Sequence, residues 1–134
     1  MSDNDTIEEL REQKIENLQS NGDTGTHSPA DPIRIGSSAD LSEAVERYDV
    51  VVADFYADWC GPCQMIAPVV EEIAAETPAA VAKIDVDANQ QLAGEYGVRG
   101  VPTLVLFADG ESVEQLVGVQ QKDELVAKIE QYSS

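Results

Sequence analysis

The stretch Val50 to Tyr56, VVVADFY, is a nearly unbroken run of strand-forming apolar residues. Such a strand lacks the in-and-out alternation of a half-exposed one, so both of its faces need covering. That places it at the centre of a sheet with helices on either side. The neighbouring segments can supply the rest. IRI, from Ile33, is a short strand candidate, and Ser37 or Ser38 can cap a helix with Leu41, Ala44, Val45 and Tyr48 on one face. From Cys60 a helical pattern follows: Cys63, Ile66, Ala67, Val70, Ile73 and Ala74 recur at three and four residues, while Glu71, Glu72 and Glu76 face away. Pro68 is expected to kink this helix. AVAKIDV, Ala80 to Val86, is the next buried strand, and NQQLAGEYG is a short helix ending at Gly97. TLVLFADGESVEQLVG predicts two strands around a tight turn at Asp109 and Gly110. KDELVAKIEQY predicts a closing helix with Leu125, Val126, Ile129 and Tyr132 inward. Parallel units come first and a hairpin last, which predicts an α/β fold with a mixed central β-sheet flanked by helices on both faces.

A chain of 134 residues is long enough for one domain with a proper core and too short for two ordinary ones. Residues 33–134 are expected to form that domain, and residues 1–32 an acidic N-terminal extension. In the extension, Asp5 to Gln19 reads as a short helix. Thr6 and Glu9 fit a capping box, and Ile7, Leu10, Ile15 and Leu18 make a thin apolar stripe. Ser20 to Pro32 is rich in Gly, Ser, Asp, Thr and Pro and reads as a flexible linker. The arm is expected to be a solvated, frayed extension, since so short an isolated helix is marginal in water; docking on a partner through the stripe is the other reading. His27 stands in the linker without a neighbouring Cys or second His and reads as solvated.

Charge restricts the partners. The chain carries 26 acids against 8 bases, a net charge of −18. Nucleic acid and anionic membrane surfaces are bound mainly through Lys and Arg, so neither is expected as a partner. The first 32 residues hold 8 acids and 2 bases, which leaves 18 acids and 6 bases in the rest, so the body is acidic as well as the arm. Such a surface repels itself in dilute buffer and is relieved by salt, which suggests a halophilic, salt-rich cytoplasm. No apolar run approaches the roughly 18 residues of a membrane span. The first twenty residues are charged and lack the apolar core of a secretory signal, so a cytoplasmic location is expected. Nothing in the sequence demands a dimer, and a monomer is expected.

The two cysteines, Cys60 and Cys63, stand in ADWCGPCQM with Gly61 and Pro62 between them. Zinc needs three or four ligands, and two Cys with one distant His do not supply them, so no metal is expected. A bridge between residues three apart closes too small a loop to stabilise the fold by much. A reacting dithiol–disulfide pair remains, as a C-x-x-C beside a βαβ pattern suggests. Cys60 follows a buried strand and stands at the first turn of a helix, where free backbone N–H groups and the helix dipole stabilise a thiolate. It is expected to be the nucleophile. Cys63, one turn on in the apolar face, is expected to be more buried and to resolve the mixed disulfide. Pro62 at an early helical position sacrifices no hydrogen bond and fixes the turn. Asp54 interrupts an apolar strand, and a buried carboxylate must either pair or have its pKa raised. Lys83 similarly interrupts AVAKIDV, and Pro102, after Val101, is a candidate for a cis peptide bond.

WCGPC resembles the active site of the thioredoxin family, and the similarity extends from Ile33 to Tyr132. ADFYADWCGPC looks like the family's strand and active-site loop, VAKIDVDAN like its third strand, GVRGVPTLVLF like its cis-proline segment and VGV like its late glycine. The resemblance implies a thioredoxin fold and a protein-disulfide reductase without bound cofactor, acting on disulfide-containing proteins and recycled by a thioredoxin reductase. It implies that Asp54, through water, takes the proton from the Cys63 thiol and that Lys83 pairs with Asp54 and tunes it; the alternatives are a merely structural Asp and a Lys held for packing. It implies that Val101 and Pro102 face the sulfurs, bind substrate backbone in strand-like fashion and block adventitious metal. Trp59, Gly61 and Pro62 would form the apolar contact surface. Gly118 would leave room for a substrate chain, or would be needed only for backbone geometry. Gln64 stands where many members carry Lys or Arg, and Tyr56 where Trp is common. DVDAN, Asp85 to Asn89, has the look of a calcium loop, but Gln90 and Tyr96 occupy its diagnostic Gly and Glu positions, so solvated acids and a helix cap are expected there. An oxidase or isomerase of the same fold is the alternative within the enzyme class, and a binding module docked by its arm is the alternative outside it.

Overall fold

The computed structural model describes residues 28–133; the arm helix, the linker up to His27 and that histidine lie outside them. The described elements run β1 (Ile33–Ile35), α1 (Ser38–Arg47), β2 (Val50–Tyr56), α2 (Gly61–Glu76), β3 (Ala80–Asp85), α3 (Gln90–Glu95), β4 (Thr103–Ala108), β5 (Glu111–Val117) and α4 (Lys122–Tyr132). The expected order is therefore present.

The five strands form one sheet in the order β1-β3-β2-β4-β5. β3 pairs in parallel with both β1 and β2, while β4 runs antiparallel to β2 and to β5. The nearly unbroken apolar run of β2 thus occupies the central position, with Val50 to Phe55 all buried. Alternation along the strands sorts the core into two halves. Val51, Ala53, Phe55, Ile84, Val105 and Phe107 pack with Leu41 and Val45 of α1 and Leu92 and Ala93 of α3. Val50, Val52, Val81, Leu104 and Leu106 pack with Ile66, Val70 and Ile73 of α2 and Leu125 and Ile129 of α4. By the same alternation Asp54 belongs to the face covered by α2.

Local signals set the element ends. Ser37 caps α1, its hydroxyl accepting from the Asp40 N–H at 3.2 Å. The β4–β5 turn places Asp109 at φ 53° and Gly110 at φ 88°, both left-handed, as a tight hairpin turn requires. α2 spans 16 residues as one element with Pro68 inside it. Two inward assignments soften in α4, where Leu125 and Ile129 are buried while Val126 and Tyr132 are half-buried at its margin. In β5, Val113 is an extra residue, because Leu106 pairs with Glu114 and Phe107 with Ser112. This bulge was not expected from the sequence.

Candidate active site

The site lies where β2 ends and α2 begins. Ala57, Cys60 and Cys63 form a small buried cluster, with Tyr56, Val86 and Val101 packed against it. Cys60 is the N-cap of α2 with extended backbone, and Gly61 and Pro62 form the first turn. The two sulfurs are joined as a disulfide, the Cα atoms 5.3 Å apart. The Cys63 N–H donates to Cys60 Sγ at 3.1 Å, so an orphan donor of the helix terminus points at the sulfur itself. That contact stabilises negative charge on Cys60 once the bond is opened. The expectation of unequal burial is corrected: Cys60 and Cys63 are 4% and 5% exposed. The loop before β4 covers Cys60, and Cys63 lies on the inner face of α2. Position at the helix terminus, rather than burial, distinguishes them.

The covering loop holds a cis peptide bond between Val101 and Pro102. The Val101 carbonyl oxygen lies 3.6 Å from Cys60 Sγ. The Pro102 carbonyl accepts from the Gly118 N–H at 2.8 Å, so the turn after β5 is tied to the same loop. Gly118 has φ 91°, and a Cβ there would meet nothing within 4 Å. Backbone geometry alone therefore requires glycine at this position, and the space above it is open. Thr103, buried and not singled out from the sequence, fixes the loop from the other side by donating its hydroxyl to the Gly100 carbonyl at 2.7 Å. A polar residue at the head of an apolar strand was its only signal.

Several large apolar side chains are exposed in the active-site loop, in α2 and in the turn tied to Pro102. Trp59 is 71% exposed and Met65 69%, and Val117 and Val119 are exposed on either side of Gly118. The Trp59 indole N–H donates to the Asp87 carboxylate at 2.9 Å, which orients the ring. Gly61 and Pro62 are exposed beside it. Gln64 uses its amide to donate to the Asp58 carbonyl at 3.2 Å, which ties the two ends of the active-site loop together. In DVDAN, Asp85 accepts from the Asp87 N–H, while Asn89 stands at the N-cap of α3. Its side chain does not cap the helix but donates to the Asp85 carbonyl at 3.0 Å.

Beneath the active-site loop is a buried carboxylate. Asp54 is 1% exposed, and neither of its oxygens has a hydrogen-bond partner among the described residues. Sheet register puts it beside Lys83 of β3 on one side and Leu104 of β4 on the other. Lys83 Nζ stands 4.0 Å from Asp54 Oδ2, an ion pair at its outer limit. Burial pushes the Asp54 pKa up to about 6, and the Lys83 charge pulls it only partly back. The same ammonium lies 4.5 Å from the centre of the Tyr56 ring, a contact that sequence spacing alone did not reveal.

A five-stranded mixed sheet carrying a C-x-x-C disulfide at the N-terminus of a helix defines a dithiol–disulfide oxidoreductase. The family description Thioredoxin matches residues 33–131. A thioredoxin from Chlamydia muridarum is 48% identical over 101 residues, covering 75% of this chain and 98% of that protein. One from Bacillus subtilis is 52% identical over 90 residues, covering 66% and 82%. Among solved structures, a point mutant of the thioredoxin from Halobacterium salinarum is similar at 61% identity and a TM-score of 0.79, covering 82% of this chain and 97% of that one. The chain belongs to the thioredoxin family, and it is a disulfide reductase of the thioredoxin type. Among the described residues no helix is long and apolar enough to cross a membrane.

Proposed function

We propose that the chain reduces disulfides of protein substrates through the Cys60 and Cys63 dithiol of its CGPC motif and is recycled by a thioredoxin reductase. The observation that carries this is the Cys63 N–H aimed at Cys60 Sγ at the head of α2. In the reduced protein the Cys60 thiolate attacks one sulfur of the substrate disulfide. A mixed disulfide forms and the other substrate sulfur leaves as a thiolate. Cys63 then loses its proton and attacks Cys60 Sγ, which restores the internal disulfide and releases the second substrate thiol. The substrate gains two electrons and two protons, and the reductase returns the same number to the protein. In this reading Asp54 receives the Cys63 proton through water, supported by its burial and raised pKa, and Lys83 tunes it electrostatically. Val101 and Pro102 receive the substrate backbone. Trp59, Gly61, Pro62 and Gly118 furnish the apolar, open surface around the sulfurs.

Residues 1–32 are an extension outside this machinery, a reading supported by the family match beginning at residue 33. The acidic body and the Halobacterium relative support work in a salt-rich cytoplasm. The test uses single cysteine variants of the full chain mixed with a disulfide-containing protein such as insulin. Cys63→Ser accumulates a mixed disulfide through Cys60 that persists on a non-reducing gel, whereas Cys60→Ser forms none and both lose turnover. A mixed disulfide that forms through Cys63 in Cys60→Ser, or reductase-coupled turnover that survives either change, contradicts the assignment.

A further inference from the structure

Lys83 occupies a position that charge alone does not explain. It lies between two strands. On the β1 side, the register partner is Arg34, a second cation on the same face. On the β2 side is the Asp54 carboxylate, buried and without a hydrogen-bond donor among the described residues. Attraction to Asp54 draws the ammonium toward the carboxylate. Lys83 nevertheless stops 4.0 Å short, outside hydrogen-bond distance. Tyr56 accounts for the stop. It follows Asp54 by two residues on the same face of β2, and its half-buried ring stands 4.5 Å from the ammonium. A cation over an aromatic face is attracted by the ring quadrupole, which lets the ring compete for a flexible lysine.

We propose that Tyr56 is a positioning residue that holds the Lys83 ammonium against its ring and off Asp54, so that no ammonium hydrogen bond reaches the buried carboxylate. The inference rests on the reading of Asp54 as acceptor of the Cys63 proton, and it assigns the strength of that base to the aromatic residue at position 56. A direct ammonium–carboxylate hydrogen bond favours the ionised form and makes a weaker base; an ammonium kept at charge–charge distance leaves burial dominant. Asp85, opposite Tyr56 on β3, has its carboxylate engaged by the Asp87 N–H. β4 offers Leu104, α2 offers Ile66, and α4 offers Leu125 and Ile129 on this face, none of them charged; α2 also offers Cys63, whose thiol titrates in the reduced chain.

The test follows the Asp54 carboxyl carbon by NMR across pH in the reduced full chain at high salt, beside the pH profile of Cys63 resolution. Tyr56→Leu frees Lys83 to reach Asp54 and is expected to lower the Asp54 midpoint by about one pH unit or more. Tyr56→Phe, which keeps the ring, is expected to leave it in place. In a Lys83→Gln background Tyr56→Leu is expected to have no further effect on the midpoint. An unchanged or raised midpoint in Tyr56→Leu overturns the proposal. So does an equal shift in Tyr56→Phe, or a shift that persists without Lys83. A midpoint that moves as expected while the resolution profile stays put supports the role of Tyr56 and contradicts Asp54 as the base. The carboxyl signal and the rate therefore fail separately.

Discussion

Between about pH 4 and pH 6 the folded and unfolded chains hold different numbers of protons on Asp54. The folded carboxyl keeps its proton up to about pH 6, because burial opposes the charge, while the unfolded one releases it near 3.8. The unfolded state is thus stabilised first as pH rises, and the folding stability tied to this group falls through that window and stays lost above it. A shift of about two units corresponds to about 3 kcal/mol. Asp54→Asn is therefore expected to gain up to about 3 kcal/mol over the parent at pH 8 and much less at pH 4, read by denaturant unfolding in high salt. A difference that does not change with pH would show that Asp54 is not a buried charge in the folded protein. The sequence showed Asp54 and Lys83 as charges interrupting apolar runs, since a strand of VVVADFY type has no exposed side for a carboxylate. It did not show the missing donor at Asp54 or the place of Tyr56, because both depend on how β2 is registered against β3. The burial of Cys60 was misjudged for a similar reason: the loop that covers it is 41 residues further along the chain.

Elements were legible where local chemistry marks them. Periodicity separated strands from helices, Ser37 marked the start of α1, and Asp109 with Gly110 marked the hairpin. Strand order was not legible, because β3 enters between β1 and β2 through crossovers that leave no trace in spacing. The bulge at Val113 was hidden for the same reason: one extra residue shifts no hydrophobic pattern at an exposed edge. The two kinds of glycine in these elements give opposed predictions. Gly110, at φ 88°, occupies a region that costs an L-residue about 1–2 kcal/mol, so Gly110→Ala is expected to destabilise by that amount. Gly94 lies inside α3 with open space around a Cβ, so Gly94→Ala is expected to stabilise by up to about 1 kcal/mol. Urea unfolding midpoints of the two variants check both signs, and a stabilised Gly110→Ala would refute the turn geometry.

At the scale of the whole molecule, 26 acids against 8 bases make self-repulsion a property of the fold as a whole. Raising salt from about 0.1 M to 1 M shortens the screening length from about 10 Å to about 3 Å, so the thermal midpoint is expected to climb over that range. A midpoint that stays flat or falls would remove the halophilic reading and leave an ordinary acidic protein. The same solution conditions suit the measurement that bears most directly on the central claim, the equilibrium reduction potential of the Cys60–Cys63 couple. The family value for thioredoxin, roughly −270 mV, is the expectation for a chain that spends its dithiol on reducing other proteins. A potential near roughly −180 to −120 mV, the range of isomerases and oxidants, would contradict the account by showing the right cysteines working in the opposite direction.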